Sequence, residues 1–192
     1  DIIDPIHDFI RVYDYELPII DSPLFQRLRR IKQLSGAHLT YPSAQHSRFE
    51  HSLGVMHIAT EAGFALNEKE FLNSDDVQIL RLASLLHDIG HGPFSHLFEE
   101  IIQEKKISHE DFGKKIILKS EIGDILSKTG FEKKLIAQIA FGESKFQYLN
   151  EIVSGALSAD MMDYLLRDGY FTGAEHAKVD HKRITQSLSV HK

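Results

Sequence analysis

Ser74-Asp75-Asp76-Val77-Gln78-Ile79-Leu80-Arg81-Leu82-Ala83-Ser84-Leu85-Leu86-His87-Asp88 is the stretch on which the fold turns. Acidic residues open it, where they complement the partial positive charge of a helix N-terminus. Ile79, Leu80, Leu82, Ala83, Leu85 and Leu86 then put apolar side chains on nearly every side of a helix, the pattern of a central, buried one. The run ends on His87-Asp88, with Gly90, Gly92 and Pro93 just beyond. A buried carboxylate is costly unless it is paired or binds metal. Consecutive helical side chains diverge by about 100°. The pair can therefore share an ion only if the ion sits beside the helix end, where the glycines leave backbone room. The dipeptide alone fits a helix cap closed by an Asp–His hydrogen bond equally well.

The rest of the chain reads as helical. A long helix is expected over about residues 48–70. A shorter one before it is capped by Asp21 or Ser22, has Pro23 at its first position, and carries Phe25, Leu28, Ile31 and Leu34 at helical spacing. Further helices are predicted near residues 94–104, 108–119, 132–140 and 150–168, and a last one starts near Asp180. Residues 9–12 and 17–20 flank the turn-like Tyr13-Asp14-Tyr15-Glu16 as a small hairpin. The fold class predicted is all-α, a helical bundle with a minor N-terminal β-hairpin. Phe9, Phe25, Phe49 and Phe94 are assigned to the core, and His7 and His57 to structural roles. His38 and His46 flank a loop and are read as solvated.

Composition narrows the chemistry. At 192 residues and 42% hydrophobic, the chain suits one domain spanning 1–192. It begins without Met and is expected to be a piece of a longer protein whose C-terminal region lies beyond Lys192. It has no cysteine, so any metal must take nitrogen and oxygen ligands. No apolar run approaches the roughly 20 residues of a membrane helix, so a cytoplasmic protein without a membrane partner is expected. A net charge of -6 argues against a broad nucleic-acid-binding face. Twelve histidines, eight of them between His38 and His109, point to metal or acid–base chemistry.

A complete metal site needs more than one His-Asp pair. His51, in Arg48-Phe49-Glu50-His51-Ser52, sits on the preceding helix, and Asp160, in Ser158-Ala159-Asp160-Met161-Met162-Asp163-Tyr164, on a later one. Each can bring a ligand from a different wall of a bundle. His51, His87, Asp88 and Asp160 then form a set of two imidazoles and two carboxylates that suits Mn, Fe, Co, Ni or Zn. Mg prefers an all-oxygen shell and would accompany a nucleotide instead.

His87-Asp88-Ile89-Gly90-His91-Gly92-Pro93-Phe94-Ser95-His96 resembles the HD-domain deoxynucleoside triphosphate triphosphohydrolases (dNTPases). Four other segments resemble them in the same order. They are Asp4-Pro5-Ile6-His7, Phe25-Gln26-Arg27-Leu28-Arg29-Arg30-Ile31-Lys32-Gln33-Leu34, Arg48-Phe49-Glu50-His51-Ser52-Leu53-Gly54-Val55 and Asp163-Tyr164-Leu165-Leu166-Arg167-Asp168. The resemblance implies an HD-domain helical bundle that hydrolyses a dNTP to deoxynucleoside and triphosphate, acting as a homo-oligomer. It implies metal ligation by His51, His87, Asp88 and Asp160. It implies catalytic roles for His91, His96 and His109, with His96 as the acid toward the leaving oxygen. Arg48 matches a phosphate contact, Gln33 and Asp168 readers of the sugar 3′-hydroxyl, Tyr164 a ring packed on the deoxyribose, and Leu34 a further substrate contact. Asp21, Gln26 and Arg29 match positions that hold an activating nucleotide in regulated members. One departure stands out: where the human member has a lysine directly after the last metal ligand, this chain has Met161. Two other functions fit the same residues: a phosphomonoesterase or phosphodiesterase of the wider HD superfamily, and a non-catalytic nucleotide-binding regulator.

Overall fold

The structure, a computed structural model, describes residues 1–94, 108–175 and 177–190. It is an α-helical bundle with one two-stranded antiparallel hairpin. Strand β1 (Ile2–Asp4) pairs with β2 (Asp8–Ile10), Ile3 opposite Phe9. The hairpin thus lies earlier than predicted, and Leu17–Ile20 forms a helical turn, α1. The turn closes at residues 5–7 because the Asp4 carboxylate accepts the backbone N–H groups of Ile6 and His7, at 2.9 and 3.1 Å.

Helix α2 (Pro23–Gln26) starts as expected, with the Ser22 hydroxyl accepting from the Phe25 N–H. It tightens into a 3-10 turn over Arg27–Arg30 and stops there, short of Leu34. Ile31 is extended because the chain now runs beside residues 46–48. The Arg48 N–H donates to the Ile31 carbonyl at 2.8 Å, and the Gln33 N–H to the His46 carbonyl at 3.1 Å.

Two helices form the centre. In α3 (Arg48–Glu68), residues on every side are buried, from Phe49 and Leu53 through Met56, Ile58 and Ala59 to Leu66. In α4 (Ser74–Leu86), Val77 and the run from Leu80 to Leu86 are buried, as its all-round apolar pattern predicts. Glu50 serves the start of α3, accepting from the Ser47 N–H and from its hydroxyl at 2.8 Å. Asn73 caps α4 by accepting from Asp75 and Asp76. A fully buried ion pair ties the N-terminal segment to this core. Arg81 reaches the Glu16 carboxylate at 2.5 and 2.8 Å and the Thr60 hydroxyl at 2.6 Å.

Around the central pair stand α5 (His109–Lys119), α6 (Glu121–Lys128), α7 (Lys133–Ala140), α8 (Gln147–Ser154), α9 (Ala159–Thr172) and α10 (His181–Ser187). Helices α9 and α10 pack on α3, and α7 packs on α4. Helix α6 was not anticipated. The single helix predicted over 150–168 is two. A Cβ at Gly155 would lie 2.6 Å from the Glu151 carbonyl, so α8 ends there in extended backbone. Ser158 then starts α9 afresh by accepting from the Met161 N–H at 3.1 Å. Phe25 and Phe49 are core, but Phe9 and Phe94 are exposed, at 65% and 61%. The helix predicted near 94–104 lies outside the described residues.

Candidate metal centre

The centre is built where α3, the end of α4 and the start of α9 converge. His51 is on the first turn of α3, and its position is set by the Ser47–Glu50 cap. His87 is the C-cap residue of α4. Asp160 lies in the first turn of α9, fixed by the Ser158 cap. Donor atoms of His51, His87 and Asp160 all fall within 4.8 Å of one another. The Asp160 Oδ1 is 3.0 Å from His51 Nε2 and 3.7 Å from His87 Nε2. Metal bonds of about 2.1 Å place neighbouring donors roughly 3 Å apart, so the spacing suits one ion.

The orientation of both imidazoles fits as well. His87 Nδ1 is 2.7 Å from the Ser84 carbonyl, and His51 Nδ1 is 2.8 Å from the Asp163 carboxylate. Anchored at Nδ1, each ring presents Nε2 inward, and both Nε2 atoms are buried without a hydrogen-bond partner. A buried polar atom is ordinarily satisfied, and a cation would satisfy both. Asp88 lies at the edge of the group. Its oxygens are 3.5 Å from His87 Nε2 and 3.8 Å from His51 Nε2, and its carboxylate is ion-paired with Arg48 and 3.2 Å from His91 Nε2.

The electrostatics favour positive charge. Burial pulls the His51 pKa down, but the carboxylates of Asp160 and Asp163 on either side of the ring outweigh it and lift the value to about 10. His87 is likewise raised by Asp88 and Asp160 against its burial. Burial would raise Asp88 and Asp160, yet neighbouring histidines, joined by Arg48 at Asp88, hold both below the usual carboxylate range. Burial pushes His91 below its ordinary value, against the pull of Asp88. Such a carboxylate-rich pocket takes up protons when it has no other cation, and a divalent ion competes with those protons.

A cleft of about 300 Å³ opens over the centre, lined by Gln33, Arg48, His87, Asp88, His91, His109, Asp160 and Tyr164. His91 and His109 stack with ring centroids 4.0 Å apart. Gln33 contributes a buried Oε1 with no hydrogen-bond partner. Glu110, Phe141 and Ser154 also line the cleft and had drawn no functional reading; Glu110 follows His109 directly in the sequence, whereas Phe141 and Ser154 carry no motif. Leu34 and Asp168 are not among the lining residues, and Asp168 is 2.7 Å from His46 Nε2. His46 is buried and stacked on Phe171, not solvated as its loop position suggested. Asp21, Gln26 and Arg29 do not line the cleft; Arg29 bonds Gln26 and covers the Phe49 ring. His96 lies outside the described residues.

Two supports were not foreseen. Arg27 donates to the carbonyls of Ile89 and His91, at 2.5 and 2.8 Å, and pins the loop that follows His87-Asp88. Gly90 lets that loop meet α5: a Cβ there would lie 2.0 Å from the His109 carbonyl oxygen and 2.5 Å from the Gly113 nitrogen. A larger apolar cavity of about 470 Å³ lies between α3, α8, α9 and the C-terminal segment, and among the described residues its lining has Glu151 as its one carboxylate and no histidine. Its lining offers no comparable chemistry.

Several known proteins are similar to this chain. Residues 48–168 match the HD domain. An uncharacterized protein of Methanocaldococcus jannaschii is 44% identical over 97% of this chain and 37% of its own length. The deoxynucleoside triphosphate triphosphohydrolase SAMHD1 of Danio rerio is 35% identical, over 83% of this chain and 26% of its own. The crystal structure of a phosphohydrolase from Bacteroides thetaiotaomicron superposes with a TM-score of 0.85 at 37% identity, covering 99% of this chain and 47% of that one. The chain spans less than half the length of each of these relatives.

Proposed function

The chain belongs to the HD-domain family, and on that premise we propose that its cleft is a metal-dependent phosphohydrolase site converting a dNTP to deoxynucleoside and triphosphate. The observation that carries this is the convergence of the buried Nε2 atoms of His51 and His87 on the Asp160 carboxylate at the floor of a cleft. A divalent ion held by His51, His87 and Asp160, with Asp88 as the fourth ligand, supplies Lewis acidity toward water and phosphate oxygens. Mn, Fe, Co, Ni and Zn suit these donors.

The chain's own groups do the rest. Arg48 offers a planar guanidinium to phosphate oxygens as substrate displaces it from Asp88. Water adds to the α-phosphorus, the bond to the 5′-oxygen breaks, and that oxygen takes a proton while triphosphate departs. His91 and His109, stacked beside Arg48, hold and move protons there, and burial keeps His91 neutral enough to accept one. Gln33 hydrogen-bonds the sugar hydroxyl through its unpaired Oε1, and the Tyr164 ring packs on the deoxyribose.

One observation favours a second reading. Among the described residues lining the cleft, Arg48 is the only lysine or arginine, and Met161, directly after Asp160, adds no charge. That is little positive charge for a triphosphate, and it suits an HD phosphomonoesterase or phosphodiesterase better. Incubation with Mn²⁺ and each of the four dNTPs, with product identification, separates the two. Inorganic triphosphate is expected. Release of single phosphate alone, or no turnover of any dNTP, refutes the dNTPase reading.

A further inference from the structure

We propose that Asp163 is the positioning residue of the metal centre: it holds the His51 ring so that Nε2 faces the cation. The inference rests on the metal reading above. Asp160 and Asp163 lie one turn apart on α9 and bracket one imidazole. Asp160 sits 3.0 Å from His51 Nε2, and Asp163 sits 2.8 Å from Nδ1. The carboxylate of Asp163 is fully buried, and every direction around it is committed. Its Oδ2 accepts from Arg167 Nε at 2.9 Å as well as facing His51. Its Oδ1 accepts from Arg167 Nη2 at 3.0 Å and lies 2.6 Å from His7 Nε2.

Arg167 does not need Asp163 for neutralisation, because it also holds the Asp4 carboxylate, at 2.8 and 3.2 Å. Two buried carboxylates face one guanidinium, so a negative charge is left over, and it is shared between His7 and His51. A carboxylate on the far nitrogen of a ligating histidine fixes its tautomer and raises its basicity toward metal. The fold also reserves the space. A Cβ at Gly54 would lie 1.9 Å from Asp163 Oδ1 and 2.6 Å from Arg167 Nη2. The bare α-carbon on α3 is what lets the carboxylate come level with His51 one turn earlier.

Asp163→Asn tests this. In the variant the amide cannot accept on both sides, and its NH₂ opposes an Arg167 N–H in either orientation, together with His51 or His7. Zinc affinity, measured by competition with a chromophoric chelator, is expected to fall about 10–100-fold. The imidazole ¹⁵N spectrum of the zinc-loaded protein is expected to show a weakened Nδ1–H hydrogen bond at His51, a change that mere loss of fold stability does not produce. His7→Ala removes one support of Asp163 and leaves the carboxylate in place; a smaller loss of zinc affinity is expected, and this variant serves if Asp163→Asn does not fold. Parent-like zinc affinity and His51 ¹⁵N shifts in a folded variant overturn the proposal, provided His51→Ala abolishes zinc binding. If His51→Ala binds zinc like the parent, the metal reading itself falls and takes the proposal with it.

Discussion

Gly90→Ala should uncouple metal binding from turnover. The added methyl would sit 2.0 Å from the His109 carbonyl oxygen, where ordinary contact begins at 3.4 Å, so backbone must give by about 1.4 Å. Both obstructing groups, at His109 and Gly113, are main chain of α5, so no side-chain rotation relieves the clash. The Gly113 side of α5 cannot retreat freely either, since a Cβ there would meet the Phe141 ring at 2.3 Å. The strain is that of an overpacked core, about 1–3 kcal/mol, and its natural release is outward movement of the first turn of α5. That turn carries His109 and its stack on His91. A displacement of about 1 Å in a positioning group costs on the order of 100-fold in rate. Three of the proposed ligands are spared, because His51, His87 and Asp160 are anchored on α3, α4 and α9 and hold the ion without Asp88. The assay is dNTP turnover with Mn²⁺, alongside elemental analysis and thermal unfolding of the same sample. A folded, metal-replete Gly90→Ala protein that turns over at the parent's rate would refute the reasoning.

His87→Ala and Asp160→Ala are each expected to lose bound metal and turnover together, read by elemental analysis and product release. His109→Ala should keep its metal and lose rate by about 10²–10⁴-fold, the usual worth of a positioned acid or base. Glu16→Ala leaves the buried Arg81 uncompensated and should destabilise the fold by about 3–5 kcal/mol in a denaturant titration, without changing metal content. Burial first, then the charges of His7, His181 and Arg81, lower the His57 pKa in the folded chain to about 4. The unfolded chain therefore takes up that proton first as pH falls from about 6.5. Stability is lost over the window from 6.5 to 4, and His57→Gln should flatten that part of the melting-temperature profile relative to the parent.

The centre of the fold was legible because apolar pattern and burial coincide along 77–86, with acidic residues at the start of that helix, and because Ser22 followed by Pro23 is a strong helix start. Errors arose where long-range pairing overrode local preference. Phe25, Leu28, Ile31 and Leu34 have helical spacing, but the backbone at Ile31 is claimed by Arg48. The hairpin was misplaced because the Asp4 side chain closes an earlier turn than Tyr13–Glu16. At the site, residue types and order pointed to His51, His87 and Asp160. They gave no sign that Asp163, alike in type and one turn on from Asp160, faces the other His51 nitrogen. His46 and Arg27 were passed over for the same reason. Their partners, Asp168 and the carbonyls of Ile89 and His91, are 62 or more positions away.

The grip of Arg167 on Asp4 spans 163 positions. During synthesis, at about 5–20 residues per second, the hairpin turn after Asp4 must wait many seconds for the arginine that secures it. Until α9 leaves the ribosome, His51 and His87 have neither Asp160 nor Asp163 beside them. Until then the nascent chain carries the two imidazoles of the proposed metal site without the carboxylates that α9 brings to them.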